Sequence, residues 1–151
     1  MHDSTSNKLI IPGMAGIYDG LAPYVYPFVR FIAGAFIVPH GYMKLFGGAW
    51  AGTVAGFGKM GLEPATFFVG LVGGVEFFGG IMVALGLLTR IAAAACAIDL
   101  IMATILVHAS KGFFGAAGGW QYVVLWAVLF ICIWVRGGGK LSLDRALGRE
   151  F

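Results

Sequence analysis

The sequence predicts an all-α integral membrane protein, a four-helix bundle with the N- and C-termini both cytoplasmic. Three observations predict that the chain lies in a membrane: apolar residues make up 60% of the chain, charged residues only 11%, and the mean hydropathy is +0.90. A soluble domain carries about 25% charged residues, so this chain has too little polar surface to face water on all sides. We therefore expect residues 1–151 to form one domain that lies in a lipid bilayer.

Four apolar runs predict the membrane spans. They cover residues of about 23–46, 65–88, 91–109 and 119–136, and each is close to the roughly 17–25 residues that a helix needs to cross the hydrocarbon. Only Thr89 and Arg90 separate the second run from the third, which predicts a tight antiparallel hairpin.

Two shorter segments are predicted to form helices at the membrane surface. Residues of about 50–60, between the first two spans, place apolar side chains at helical spacing. Residues of about 142–149 follow the fourth span. There Ser142 is a suitable N-cap, and Asp144 suits the positive end of a helix.

Lysine and arginine placement predicts the orientation. The side that holds both termini carries six cationic residues, and the other side carries three. The first group is Lys8, Arg90, Arg136, Lys140, Arg145 and Arg149, and the second is Lys44, Lys59 and Lys111. Because cationic flanks favour the cytoplasm, both termini are expected there. The net charge of +3 is too small and too scattered to indicate nucleic-acid binding.

Ionisable side chains inside the spans are the candidate site. Arg30, His40 and Lys44 share a broad face of the first span, Glu76 lies near the middle of the second, and Asp99 lies in the third. A charge at the centre of a membrane helix costs about 2.5–3.5 kcal/mol, so such residues usually face the interior and pair. We predict an interior ladder of Asp99, Arg30, Glu76 and His40, with Arg30 between the two acids.

The ladder has two interpretations at this point. It is either structural glue that holds four helices in register, or a proton path or pocket for a quinone-like headgroup. A headgroup pocket needs hydrogen-bond donors beside a protonatable acid, and the ladder contains both.

Three further candidates lie toward the opposite face: His108, Trp120 and Gln121. His40 and His108 have similar depths, and two histidines can ligate haem. However, His108 lies about 180° from Asp99 around its helix, so it is predicted to point away from the ladder. Haem is therefore disfavoured, and the absence of paired-cysteine and H-E-x-x-H motifs predicts no metal site.

Glycines of the second span are predicted to pack helices. The glycines around Glu76 leave room beside its carboxylate, and the glycines of the span fall on two faces that could serve two interfaces. These residues are Gly70, Gly73, Gly74, Gly79 and Gly80.

Several motifs, taken together, resemble the DoxX family of small bacterial four-helix membrane proteins. They run in the family's order from about residue 28 to 145. The matching pieces are Arg30, residues 40–48 (HGYMKLFGG), 74–80 (GVEFFGG), 85–90 (LGLLTR), His108 followed by 112–114 (GFF), and 139–144 (GKLSLD).

The resemblance implies a multi-pass protein of the bacterial inner membrane. DoxX-like proteins are associated with membrane oxidoreductase systems, including sulfur-compound:quinone oxidoreductases, sulfurtransferase–superoxide dismutase assemblies and respiratory chains. The family often has an acid where this chain has Gln121, which removes one titratable group.

The leading expectation is a quinone-proximal, non-catalytic subunit of a membrane redox complex, with quinone as the candidate cofactor. Its partners would be the lipid bilayer and other membrane subunits, and a homo-oligomer is an open alternative. The alternatives are a purely structural or assembly subunit and, less favoured, a small transporter or proton pathway.

Overall fold

The computed structural model describes residues 9–114 and 118–149, and Lys8 therefore lies outside the described residues. Within these two ranges the chain is helical and contains no strand, which confirms the all-α class. The helices are α1 (Ala15–Leu45), α2 (Trp50–Lys59), α3 (Ala65–Leu85), α4 (Thr89–Lys111), α5 (Gln121–Arg136) and α6 (Leu143–Ala146).

Three helices are long and apolar enough to cross a membrane: α1 with the 3₁₀ turn Pro12–Met14 before it, α3, and α4. Helix α5 is apolar but has only 16 residues, so the fourth span and the orientation of the termini stay predictions. Large apolar side chains cover the outside of the helices, as contact with lipid requires. Examples more than half exposed are Phe28, Phe67, Ile98 and Leu125.

Helix α1 begins at Ala15 rather than near residue 23. Its first turns contain Gly16, Gly20 and Pro23, and glycine and proline are poor helix formers in water. Both residues are common in membrane helices. The sequence pattern therefore places the start of α1 too late, because glycine and proline are also typical of loops.

The turn between α3 and α4 confirms the predicted hairpin. Helix α3 ends at Leu85, three residues before the predicted end at 88, because Gly86 has a left-handed backbone (φ 71°) and stops the helix. Leu88 also has a positive φ of 45°, and α4 begins directly after it at Thr89.

Helix α1 packs against α3 through backbone contacts at glycine. A Cβ atom on Gly34 would lie 2.4 Å from both Ala84 N and Gly80 O, and one on Gly41 would lie 2.4 Å from Phe77 N. The two backbones are therefore too close for a methyl group at either position. Helix α4 packs against α5, and the core contains Ala33, Ile37, Val83, Ala92, Ala93, Cys96, Ala97, Phe130 and Ile133.

The predicted packing glycines of α3 differ in what surrounds them. Gly73 and Gly80 face α1, and a Cβ on Gly79 would lie 3.1 Å from Cys96 Sγ of α4. A Cβ on Gly70 would reach only Trp50, at 3.9 Å, and one on Gly74 would have no neighbour within 4 Å. One glycine face is thus internal, and the other is open.

Both α3 and α4 contain a π-helical turn. These turns are Val75–Gly79, which includes Glu76, and Thr104–His108. A π turn contains more residues than an α turn, so it rotates every residue that follows it relative to a regular helix. Such turns are often found at functional sites.

Helix α2 (Trp50–Lys59) matches the first predicted surface helix, whereas α6 (Leu143–Ala146) is shorter than the predicted 142–149. The Ser142 hydroxyl accepts a hydrogen bond from Arg145 N (3.2 Å), as expected of an N-cap. Asp144 does not lie on an exposed helix face, because its side chain is only 3% exposed and is bound inside the molecule.

Candidate functional site

A cavity of about 730 Å³ lies between α1, α3, α4 and α5. Its lining is mostly apolar and includes Phe36, Val75, Leu106 and Trp126, with Phe57 contributed by α2. The polar residues of its wall include His40, Lys44, Glu76, Asp99, His108 and Tyr122. The structure thus brings four of the five ionisable residues predicted inside the spans to one cavity, together with one of the three candidates from the opposite face.

Lys44 and Glu76 form an ion pair in the cavity wall. Lys44 Nζ lies 2.5 Å from Glu76 Oε2, and the side chains are 21% and 9% exposed. The pair joins α1 to α3 at the level where Gly41 packs against Phe77. Close approach of the two backbones therefore places the ammonium against the carboxylate, so neither charge is left alone among apolar side chains.

Asp99 lines the same cavity and has one unsatisfied oxygen. Its Oδ2 is buried and has no hydrogen-bond partner among the described residues. Leaving such a group unpaired costs about 1–3 kcal/mol. Asp99 is therefore the position in the wall that is most ready to bond with a polar group of a ligand.

His108 lines the cavity, so the prediction that it points away from Asp99 is wrong. The reason is the π turn Thr104–His108, which takes up about one extra residue and rotates His108 back by about 100°. His108 Nδ1 lies 2.6 Å from Gly118 O, and this contact orients the ring. His40, also in the cavity lining, is an exposed residue of α1.

Trp120 and Gln121 do not line the cavity but close the loop between α4 and α5. The Trp120 ring packs edge-on against Phe113, with ring centroids 4.8 Å apart. The backbone amides of Trp120 and Gln121 donate to Gly112 O (3.0 Å) and Phe113 O (3.1 Å). The neighbouring Tyr122 lies in the cavity lining instead.

The predicted position of Arg30 between the two acids is wrong. Arg30 is only 3% exposed, and its guanidinium donates to the carbonyl oxygens of Gly138, Leu141 (2.7 Å) and Ala84 (3.4 Å). Guanidinium carries five donors, and the segment after α5 offers several carbonyls at close range. Arg30 therefore joins α1 to this segment and to the end of α3, rather than to Glu76 or Asp99.

Asp144 forms a second polar cluster that the sequence did not indicate. Its Oδ1 accepts from Leu88 N (2.6 Å), and its Oδ2 accepts from Thr89 N (2.9 Å) and Thr89 Oγ1 (2.6 Å). Burial acts to raise the pKa of this carboxyl, but the hydrogen bonds from Thr89 and Leu88 outweigh it and hold the pKa below its usual value. Asp144 thus fastens the C-terminal segment to the α3–α4 turn. The sequence contained one signal for this contact. Asp144 ends the motif 139–144, Thr89 lies in the motif 85–90, and both motifs are predicted at the same end of the bundle.

Among residues 9–114 and 118–149, no group of three or more histidine, cysteine, aspartate or glutamate side chains could hold a metal ion. The cavity thus combines a mostly apolar lining with one ion pair, one unsatisfied carboxylate oxygen and two histidines.

Comparison with known proteins gives one family and several relatives. The family model described as DoxX matches residues 27–109, the part of the chain that carries the histidine, lysine, glutamate and aspartate residues of the cavity wall. An uncharacterized membrane protein of Mycobacterium tuberculosis is 37% identical over 106 residues, which are 62% of this chain and 64% of that protein. The match thus spans slightly less than two thirds of that relative.

Two other relatives are matched over more of their length. An uncharacterized protein of Haemophilus influenzae is 31% identical over 125 residues, 81% of this chain and 90% of that protein. A Bacillus subtilis protein named "Putative oxidoreductase CatD" is 33% identical over 116 residues, 77% of this chain and 81% of that protein. No solved structure matches the chain significantly. The family match over more than half of the chain, together with these relatives, shows that the protein belongs to the DoxX family.

Proposed function

We propose that this protein binds a quinone in the cavity between its helices and serves as a non-catalytic subunit of a membrane oxidoreductase or electron-transfer complex. The observation that supports the proposal is the unsatisfied Asp99 oxygen and the Lys44–Glu76 pair in a mostly apolar cavity.

The size and polarity of the cavity fit such a ligand. Its volume of about 730 Å³ is within the usual range of small-molecule sites, roughly 300–1,000 Å³. A quinone has an apolar tail, which suits the lining, and carbonyl oxygens, which need donors. Lys44, the His40 ring N–H and the Tyr122 hydroxyl are donors in the wall. The His108 ring donates from Nδ1 to Gly118 O, so its Nε2 is an acceptor when the ring is neutral.

When bound, a quinone would supply two-electron redox chemistry. The residues of this chain would orient it and hold protons near its oxygens. Glu76 is already paired with Lys44, whereas Asp99 Oδ2 has no hydrogen-bond partner among the described residues. Asp99 is thus the group available to bond with a headgroup hydroxyl or, when protonated, to donate to a headgroup carbonyl.

One of the comparisons supports a redox role. One relative carries the word oxidoreductase in its name, which concerns that protein. For this chain it favours a redox complex over a transporter.

The test is to purify the full chain from its native membrane in mild detergent and to quantify bound quinone by chromatography of an organic extract. We expect quinone to co-purify with the unmodified chain. Under reducing conditions, where the headgroup is the quinol, Asp99→Asn should reduce its retention by about tenfold, because the headgroup hydroxyl loses a hydrogen bond to a charged acceptor, which contributes about 1.5–3 kcal/mol. Asp19→Asn is the matched control, since Asp19 is an exposed residue of α1 outside the cavity lining.

Gel filtration of each variant checks that the fold is kept. A chain that purifies without quinone, or equal quinone retention in the Asp99→Asn and Asp19→Asn proteins, would contradict the proposal.

A further inference from the structure

A second cleft, of about 630 Å³, lies at the end of the molecule that carries Arg30, Arg90 and Arg136, which we name the arginine end. It is bounded by residues 22–27 of α1 and by the chain that follows α5. Four cationic residues line it: Arg136, Lys140, Arg145 and Arg149. The only acid in its lining, among the described residues, is Asp144.

Asp144 does not neutralise these four charges. Its carboxylate is turned inward, where Leu88 and Thr89 occupy both oxygens. None of the four cationic side chains forms an ion pair with a carboxylate of the described residues, and Lys140, Arg145 and Arg149 are exposed. The cleft therefore has a positive charge that residues 9–114 and 118–149 leave uncompensated.

The cleft is also held in shape by side chains beneath it. The Tyr26 hydroxyl donates to Gly137 O, and the Arg136 guanidinium lies 4.5 Å from the centre of the Tyr26 ring. Arg30 binds the carbonyls of Gly138 and Leu141 from the inner side. The backbone that carries Lys140 is therefore fixed on two sides, so little ordering of this backbone is needed when an anion binds.

The depth of the cleft fits the phosphate layer of a membrane. The apolar run of α5 ends at Val135, Trp134 is 48% exposed, and the cationic residues begin at Arg136. Aromatic residues followed by arginine and lysine are typical of the boundary between hydrocarbon and headgroups. Basic pockets between helices at that boundary bind phosphate-bearing headgroups, and arginine binds phosphate through paired hydrogen bonds.

We propose that the cleft at the arginine end is a binding site for a phosphate group, carried either by an anionic phospholipid or by a soluble phosphate anion. The proposal involves no residue of the quinone cavity, so either can fail without the other.

The lipid arm of the test uses the full chain in detergent micelles that contain equal amounts of phosphatidylglycerol and phosphatidylcholine with identical acyl chains. Native mass spectrometry measures which lipid stays bound. We expect a preference for phosphatidylglycerol, and a decrease of about tenfold or more in this preference for the double variant Arg145→Gln/Arg149→Gln.

The matched control is Lys59→Gln/Lys111→Gln, which removes the same charge from exposed lysines outside the cleft. It should keep the preference of the unmodified chain. A soluble arm titrates inorganic phosphate against chloride at constant ionic strength and follows the melting temperature. Phosphate-specific stabilisation that the cleft variant loses would assign the site to a soluble phosphate anion, and a response in the lipid arm alone would assign it to the headgroup.

Two results would overturn the proposal. One is that the cleft variant behaves like the unmodified chain in both arms. The other is that the cleft variant and the control variant lose the same amount, because the effect would then depend on net charge and not on the cleft.

Discussion

Arg30 and Asp144 show how single buried charges are stabilised in this protein. Each is 3% exposed, and each bonds with backbone groups at helix ends: Arg30 with carbonyl oxygens after α5, Asp144 with the amides that start α4. Helix ends leave amides and carbonyls without partners inside the helix. Asp144 illustrates the effect most fully, because its two oxygens and the amides of Leu88 and Thr89 satisfy one another.

Asp144 gives the first prediction, at the scale of one residue. Asp144→Asn should lower the free energy of unfolding by about 2 kcal/mol near neutral pH, because hydrogen bonds to a charged acceptor are lost. Thermal unfolding in detergent, followed by circular dichroism, measures the change.

The pH dependence of unfolding checks the same residue. The pKa of Asp144 is lowered in the folded protein, so its contribution to stability is complete above the unfolded pKa of about 3.9 and is lost as the pH falls through the folded pKa. The difference in stability between the unmodified chain and Asp144→Asn should therefore shrink below about pH 4. A difference that stays constant down to low pH would show that the carboxylate is not the stabilising group.

The contact between α1 and α3 is the clearest feature at the scale of elements. Gly34 and Gly41 of α1 lie directly on the backbone of α3, and Gly80 of α3 lies on α1. In a membrane, where the hydrophobic effect does not drive helices together, such small-residue contacts allow close packing. The same contact brings Lys44 to Glu76, so helix packing positions part of the candidate site.

Alanine substitution of two glycines gives the second prediction. Gly34→Ala should lower the free energy of unfolding by about 1–3 kcal/mol, because the added methyl group would overlap the α3 backbone. Gly74→Ala is the matched control, since a Cβ there meets nothing within 4 Å. It should be neutral or stabilise the protein by up to about 1 kcal/mol through helix propensity. Equal stability of the two variants would contradict this account of the α1–α3 contact.

The sequence predicts these elements better than it predicts the contacts between their side chains. The length of an apolar run and the positions of glycine and arginine are local properties, and they identify α2, α3, α4 and the hairpin at Thr89. The positions of Arg30 and His108 depend on features that a regular 3.6-residue period does not contain. For Arg30 these are the carbonyls after α5, and for His108 the feature is the π turn.

At the scale of the whole molecule, the structure has two different polar regions separated along the bundle. The cavity with Lys44, Glu76 and Asp99 lies among apolar side chains, whereas the cationic cleft lies at the arginine end. Composition alone predicts a membrane protein, because lipid requires backbone hydrogen bonds to be satisfied within helices. Composition does not predict which charges meet, because that requires the rotation and depth of each helix.

The orientation of the molecule gives the third prediction. We expect the arginine end to face the cytoplasm, because lysine and arginine are more numerous there. Single variants Lys59→Cys and Arg145→Cys, each combined with Cys132→Ala to remove the exposed native thiol, are treated with a membrane-impermeant thiol reagent on sealed right-side-out vesicles. Lys59→Cys should react at once, and Arg145→Cys only after the vesicles are opened. The reverse labelling pattern would show that the arginine end faces the outside and would contradict the prediction.

The π turn at Thr104–His108 has a consequence for chain length in this family. In geometric effect it is one surplus residue in an otherwise regular helix. Deleting a single residue from this segment would let α4 run straight, turn His108 by about 100° and remove its ring from the cavity wall without changing the histidine itself. A relative that is one residue shorter between the positions of Asp99 and His108 should therefore be unable to use its histidine in this way, even if the two sequences are otherwise identical.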